Sequence, residues 1–155
     1  MRKASSIIAI GSDHAGWALK NTLLRFLSRR GFRVLNFGCD NDQTRVDYPD
    51  YAKSVALAVH RKKADMGVLC CGTGIGMSIA ANKIPGIRAA VVWNQRSATL
   101  AKEHNAANIL CLSGRLLSIP QAKRSLLAFL SAEVSTEPRH KKRIKKIAAL
   151  ERNHQ

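Results

Sequence analysis

The segment at residues 68–77, VLCCGTGIGM, runs an apolar stretch into two cysteines and then three alternate glycines. Glycine at positions 72, 74 and 76 lets a backbone approach a ligand closely and adopt tight turns. A nest of N–H groups at a helix start holds an anion or a developing oxyanion. Cys71 sits at the lip of that nest. A thiol near a helix N-terminus has its pKa lowered from about 8.5 towards neutrality, which makes it a usable base or nucleophile. Read locally, the segment is also compatible with a tight strand-to-helix turn without chemistry. Cys71 taken alone stays undecided between catalysis and packing.

Two familiar glycine motifs are excluded. A dinucleotide fingerprint G-x-G-x-x-G beginning at Gly72 needs glycine where Met77 stands, and no acidic residue follows at the required distance. A phosphate-binding P-loop needs Lys after its last glycine, whereas Gly76 precedes Met77 and Ser78. The four cysteines, Cys39, Cys70, Cys71 and Cys111, form no C-x-x-C pair and no Cys/His spacing suited to zinc. Cys39, Cys70 and Cys111 read as small core residues in a reducing compartment.

The elements that must position these residues follow from hydrophobic pattern. Short apolar runs at 6–12, 33–37, 66–70, 88–93 and 109–112 read as strands buried on both faces. Amphipathic segments at 16–30, 49–62, 97–103, 122–130 and 139–152 read as helices. Pro49 opens the second of these, and Ser118 with Gln121 forms a capping box before the fourth. The alternation predicts a single-domain α/β fold, a doubly wound, Rossmann-like three-layer sandwich. Its five-stranded parallel sheet is expected in the order 2-1-3-4-5. The crevice above strands 1 and 3 then brings Asp13 and His14 beside Cys71 and the glycine loop.

The chain has 155 residues, 46% of them apolar, and a formal net charge of +16. Residues 139–155 hold a net +6, and the rest of the excess is diffuse. Such charge attracts any polyanion, phosphorylated metabolites included, so it does not by itself indicate nucleic acid. No apolar run approaches the roughly 18 residues of a membrane span. The apolar run at residues 7–10 is too short for a signal peptide, and a cytoplasmic location is expected.

Taken together, several blocks resemble the type B ribose-5-phosphate isomerases, of the sugar-phosphate isomerase family that includes galactose-6-phosphate isomerase. They are GSDHAG at 11–16, DYP at 47–49, CGTGIG at 71–76, IAANK at 79–83, GIR at 86–88, His104-Asn105, Gly114-Arg115 and the pair Arg139-His140 with Arg143. The resemblance implies that residues 1–155 are one sugar-phosphate isomerase domain, with 139–155 a basic C-terminal helical arm. It implies interconversion of D-ribose 5-phosphate and D-ribulose 5-phosphate through a cis-enediolate, with no metal and no cofactor. It makes Cys71 the base, Thr73 a proton shuttle, and His104 with Asp13 the pair that opens the furanose ring. Substrate binding falls to Asp13, His14, Gly72, Thr73, Gly74, Ile75, Gly76, Asn105, Arg115, Arg139 and Arg143. Arg139 and Arg143 stand one helical turn apart, so both guanidinium forks can face one phosphate. A subclass of the family replaces the cysteine by a glutamate just after the glycine loop; Met77 occupies that position here, which leaves Cys71.

The family also implies a homodimer or dimer of dimers in which Arg139 and Arg143 complete the neighbour's site. Alternative substrates are six-carbon sugar phosphates such as allose 6-phosphate or galactose 6-phosphate. A non-catalytic polyanion-binding module is the alternative from another class. Other readings stay open at single residues. Asp13 or His14 could cap the first helix, His104 could be a helix C-terminal residue, and Tyr48 reads as packing. His60, His140 and His154 are expected on the solvated surface, as are Lys141, Lys142, Lys145 and Lys146.

Overall fold

The computed structural model describes residues 6–152. Five parallel strands form one sheet: β1 (Ile7–Ser12), β2 (Arg33–Asn36), β3 (Met66–Cys71), β4 (Ala89–Val91) and β5 (Ile109–Ser113). Among the described residues the α-helices are α1 (Trp17–Ser28), α2 (Tyr48–His60), α3 (Ile75–Ala81), α4 (Gln95–Asn105), α5 (Ile119–Ser131) and α6 (Pro138–Arg152). A single 3-10 turn, His14–Gly16, leads into α1.

Every residue of β3 and β5 is buried, which is why these strands read as unbroken apolar runs. Helices α1, α4 and α5 cover one face, where Leu19, Leu23, Leu27, Ala98 and Phe129 meet Ile8, Ile10, Val68 and Leu110. Helices α2 and α3 cover the other, where Val55, Ala56 and Met77 meet Ala9, Leu69 and Ile109. Each fully buried leucine of the α1 stripe contributes about 1.5–3 kcal/mol relative to exposure. Strand alternation sends Cys70 into the first cluster and Cys71 into the second.

The strand order corrects the expected 2-1-3-4-5. It is β2-β1-β3-β5-β4, with β5 paired to β3 and β4 at the edge. The apolar run at 88–93 yields only three strand residues, two of them half-buried, so it suits an edge; the fully buried β5 suits the interior. Right-handed crossovers agree with this arrangement. The step from β4 back to β5 reverses direction, so α4 joins α1 instead of α3. The exchange leaves the crevice between β1 and β3 untouched, because the chain still departs from these strands in opposite directions.

Two details fix the ends. Asn82 covers the β4 edge, accepting from the Ala89 N–H at 2.8 Å and donating to its carbonyl at 2.9 Å. Capping boxes start α4 (Asn94 with Ser97) and α5 (Ser118 with Gln121), the second as expected from sequence.

Candidate active site

The C-terminal edge of the sheet gathers the first group of residues. β3 ends at Cys71, only 4% exposed, and the chain turns through Gly74 at φ +81° into α3. That left-handed turn points the Gly74 N–H at Cys71 Sγ, at 3.1 Å. Thr73 Oγ1 accepts from the Ile75 N–H at 3.3 Å, which holds its hydroxyl within the same loop. Ser113, at the end of β5, donates to the Gly72 carbonyl at 2.7 Å, and the Gly114 N–H donates to the Cys71 carbonyl at 2.8 Å. These bonds carry the exposed Arg115 to Gly72, where a Cβ would lie 3.1 Å from its Nη1.

β1 delivers Asp13 and His14 to the same edge. Asp13 is buried and caps the 3-10 turn, accepting from the Gly16 N–H at 2.9 Å. Gly16 must be glycine, since a Cβ there would overlap the Cys70 carbonyl. His14 Nδ1 accepts from the Val46 N–H at 3.3 Å, which in the neutral ring leaves the proton on Nε2, free to donate. Tyr48 places its ring against Gly76, and a Cβ on that glycine would lie 2.6 Å from Tyr48 Cζ.

A buried lysine supports this edge. Lys20 is 2% exposed, and its Nζ donates to Asn36 Oδ1 at 3.2 Å and to the Cys39 carbonyl at 3.4 Å. Burial lowers its pKa, with Cys39 opposing. It pins the start of the segment that brings Val46 to His14. Burial likewise raises the Cys70 and Cys111 thiols well above the ordinary cysteine value, so neither competes as a base.

The N-terminal edge gathers a second group. α4 starts beyond β4 and runs antiparallel to the strands for 11 residues before β5 begins. At 1.5 Å per residue its length is about 16 Å. His104 and Asn105 in its last turn therefore lie at the opposite end of the sheet from Cys71. There Asn108 Oδ1 accepts from Arg88 N at 2.8 Å, and the Ala106 carbonyl accepts from Arg88 Nε at 2.9 Å. Helix α6 docks at this end. Its lead-in donates from Ser135 N to the Glu103 carbonyl at 2.9 Å, and Glu151 near its end accepts from Gly86 N at 2.9 Å with both oxygens. His140 is buried and stacks on His104, with ring centroids 4.0 Å apart. Arg139 and Arg143 are exposed on either side of it.

The sequence-derived residues thus fall into two sets. Asp13, His14, Cys71, Gly72, Thr73, Gly74, Ile75, Gly76 and Arg115 come together at one edge. His104, Asn105, Arg139 and Arg143 come together at the other. The expectation that His140 lies on the solvated surface is corrected, because α6 buries it against α4. His60 is exposed and accepts no part in either set, while His154 lies outside the described residues. The lysines Lys141, Lys142, Lys145 and Lys146 are exposed as expected and line an open groove with Thr136 and Pro138. Sequence reading missed Lys20, Tyr48's position on Gly76, and the imidazole stack. A signal existed for the separation of the two sets, since a helix between parallel strands returns its C-terminus to the edge opposite the βα loops. Among the described residues no group of three or more His, Cys, Asp or Glu is arranged to hold a metal ion, and no helix is long and apolar enough to cross a membrane.

Comparison with known proteins extends this geometry. Residues 8–147 match the model of the Ribose/Galactose Isomerase family. The chain is 43% identical over 144 residues to ribose-5-phosphate isomerase B of Escherichia coli, covering 93% of this chain and 95% of that one. Ribose-5-phosphate isomerase B of Clostridium thermocellum superposes with a TM-score of 0.93 at 44% identity, covering 96% of this chain and 99% of that one. The Mycoplasma genitalium enzyme, solved with bound ribulose-5-phosphate, gives 0.90 at 39% identity, covering 94% and 96%.

Proposed function

The chain belongs to the ribose/galactose isomerase family, and we propose that it interconverts D-ribose 5-phosphate and D-ribulose 5-phosphate by proton transfer through Cys71. The observation that carries this reading is the Gly74 N–H directed at Cys71 Sγ at the mouth of the β1/β3 crevice. In the ring-opened aldose the Cys71 thiolate removes the C2 proton. The electron pair moves into a C1–C2 double bond, and O1 takes the negative charge. The N–H groups of Gly72 and Gly76 are the donors offered to that oxygen, while those of Gly74 and Ile75 hold the sulfur and the Thr73 hydroxyl. Thr73 helps the O2 proton cross to O1. Cys71 then returns its proton to C1, and the ketose forms. Proton transfers of this kind need the base within hydrogen-bonding reach of the carbon, which the buried, fixed strand end provides.

Ring opening and phosphate binding use both edges. Asp13 accepts the anomeric hydroxyl proton while His104 protonates the ring oxygen. Asn105 binds substrate hydroxyls, and His14, Arg115, Arg139 and Arg143 bind the phosphate by charge-assisted bonds. Since the edges of one chain lie about 16 Å apart by helix rise, His104, Asn105, Arg139 and Arg143 are assigned to a second copy. A two-fold pair brings each edge of one chain to the other edge of its neighbour, forming two sites. This enlarges the partner's expected share from two arginines to four residues.

The named relatives favour a five-carbon substrate over six-carbon phosphates. Purified protein in the presence of a chelator should turn over ribose 5-phosphate ahead of allose 6-phosphate and galactose 6-phosphate. Absence of pentose phosphate turnover, or a preference for a hexose phosphate, would overturn the assignment.

A further inference from the structure

Helix α6 buries one titratable side chain that no step above employs. His140 is 4% exposed, although Arg139, Lys141, Lys142 and Arg143 around it are all exposed. Its ring lies on that of His104 with centroids 4.0 Å apart and planes inclined by 13°. Two flat rings at that separation touch across their faces, so neither can tilt without displacing the other. The platform itself is fixed. Before His140, the Ser135 N–H holds the Glu103 carbonyl at 2.9 Å; after it, Glu151 holds Gly86 N at 2.9 Å. Sliding or rotating α6 would cost these contacts together with the stack.

Charged groups surround the stack. His104 faces His140 from α4, Arg139 and Arg143 flank it on α6, and Glu137 precedes it. Burial, then His104 and the two arginines, lowers the His140 pKa from the ordinary imidazole value, with Glu137 opposing. At neutral pH His140 is therefore mainly uncharged.

We propose that His140 is a positioning residue for ring opening, a flat platform that holds the His104 imidazole at the angle from which it protonates the sugar's ring oxygen. This rests on the reading of His104 as the acid. Substrate chemistry separates the two. Ribose 5-phosphate is a closed furanose and needs the acid. Ribulose 5-phosphate has its C5 oxygen esterified, so it cannot close a five-membered ring and needs no opening. Exchange of solvent deuterium into its C1 position reports Cys71 proton transfer alone.

The experiment compares His140→Ala, His140→Phe and His104→Ala in both assays. His140→Ala should lower ribose 5-phosphate turnover by about 10–100-fold, the cost of a misplaced group, while C1 exchange in ribulose 5-phosphate stays within about threefold. His140→Phe, which keeps a flat neutral ring, should restore most of the turnover. Equal loss in both assays, or normal turnover of His140→Ala, would overturn the platform. If His140→Ala does not fold by circular dichroism, a His140→Phe protein with impaired turnover and intact exchange would overturn it instead. Normal turnover of ribose 5-phosphate by His104→Ala would remove the acid assignment itself, whereas impaired His104→Ala beside normal His140→Ala removes only the platform.

Discussion

The two edges of the sheet solve different problems with different materials. At the C-terminal edge the working groups are backbone amides and a sulfur at a strand end, buried and tied by bonds of 2.7–3.1 Å. At the N-terminal edge they are long side chains on helices, two exposed arginines around a buried imidazole stack. Chemistry on a C–H bond needs fixed geometry, which short loops between buried strands give at little entropic cost. Capturing a phosphate needs charge and reach, which arginines on a helix provide. On the function proposed above, the C–H chemistry belongs to the first edge, ring opening and part of the phosphate binding to the second, and pairing of two chains would bring them together.

The sharpest loss is expected at the rigid edge. Cys71→Ala should reduce ribose 5-phosphate turnover by about 10³-fold, within the range for a lost base, with an unchanged circular dichroism spectrum. Near-normal turnover would leave the buried edge without its chemical role. The division between edges is tested next by mixing. Cys71→Ala and His104→Ala should each be nearly inactive, yet a mixture reassembled from unfolded chains should recover about a quarter of normal activity, because half the pairs are hybrid and each holds one intact site. A mixture that stays inactive would place both halves in one chain.

Substitutions for capture should be smaller and of another kind. Arg143→Ala should raise KM by about 10–100-fold, the value of a charge-assisted bond, with less effect on kcat; steady-state kinetics read both. Acidification should weaken the N-terminal edge first. Because folding lowers the His140 pKa, the unfolded chain takes up that proton more readily as pH falls below about 6.5, and stability declines there. Urea midpoints at pH 7 and pH 5 should differ less in His140→Phe. Glu151→Ala should cost only about 1 kcal/mol and appear mainly as faster amide exchange at Gly86.

Sequence legibility divides along the same line. Residues on strand ends were readable, because a parallel sheet with a switch between β1 and β3 can bring Asp13 and His14 only to Cys71. The opposite faces of Cys70 and Cys71 followed from strand period. The exchange of β4 and β5 was not readable from composition, since both segments are apolar and only packing shows that one shrinks to three residues at the edge. His140 looked solvated because its neighbours are all basic. Its burial depends on where α6 docks, a tertiary contact with no periodic signature. Lys20 escaped for the same reason, as its amine is satisfied by Asn36 at the end of β2 and by the Cys39 carbonyl, 16 and 19 residues away in sequence.

Asn82 has a consequence beyond its own strand. By occupying the Ala89 amide and carbonyl, its carboxamide stands where another polypeptide would begin to extend the sheet. Open-ended growth into fibres is discouraged on that flank, while closed, self-limiting association through helices and loops stays available.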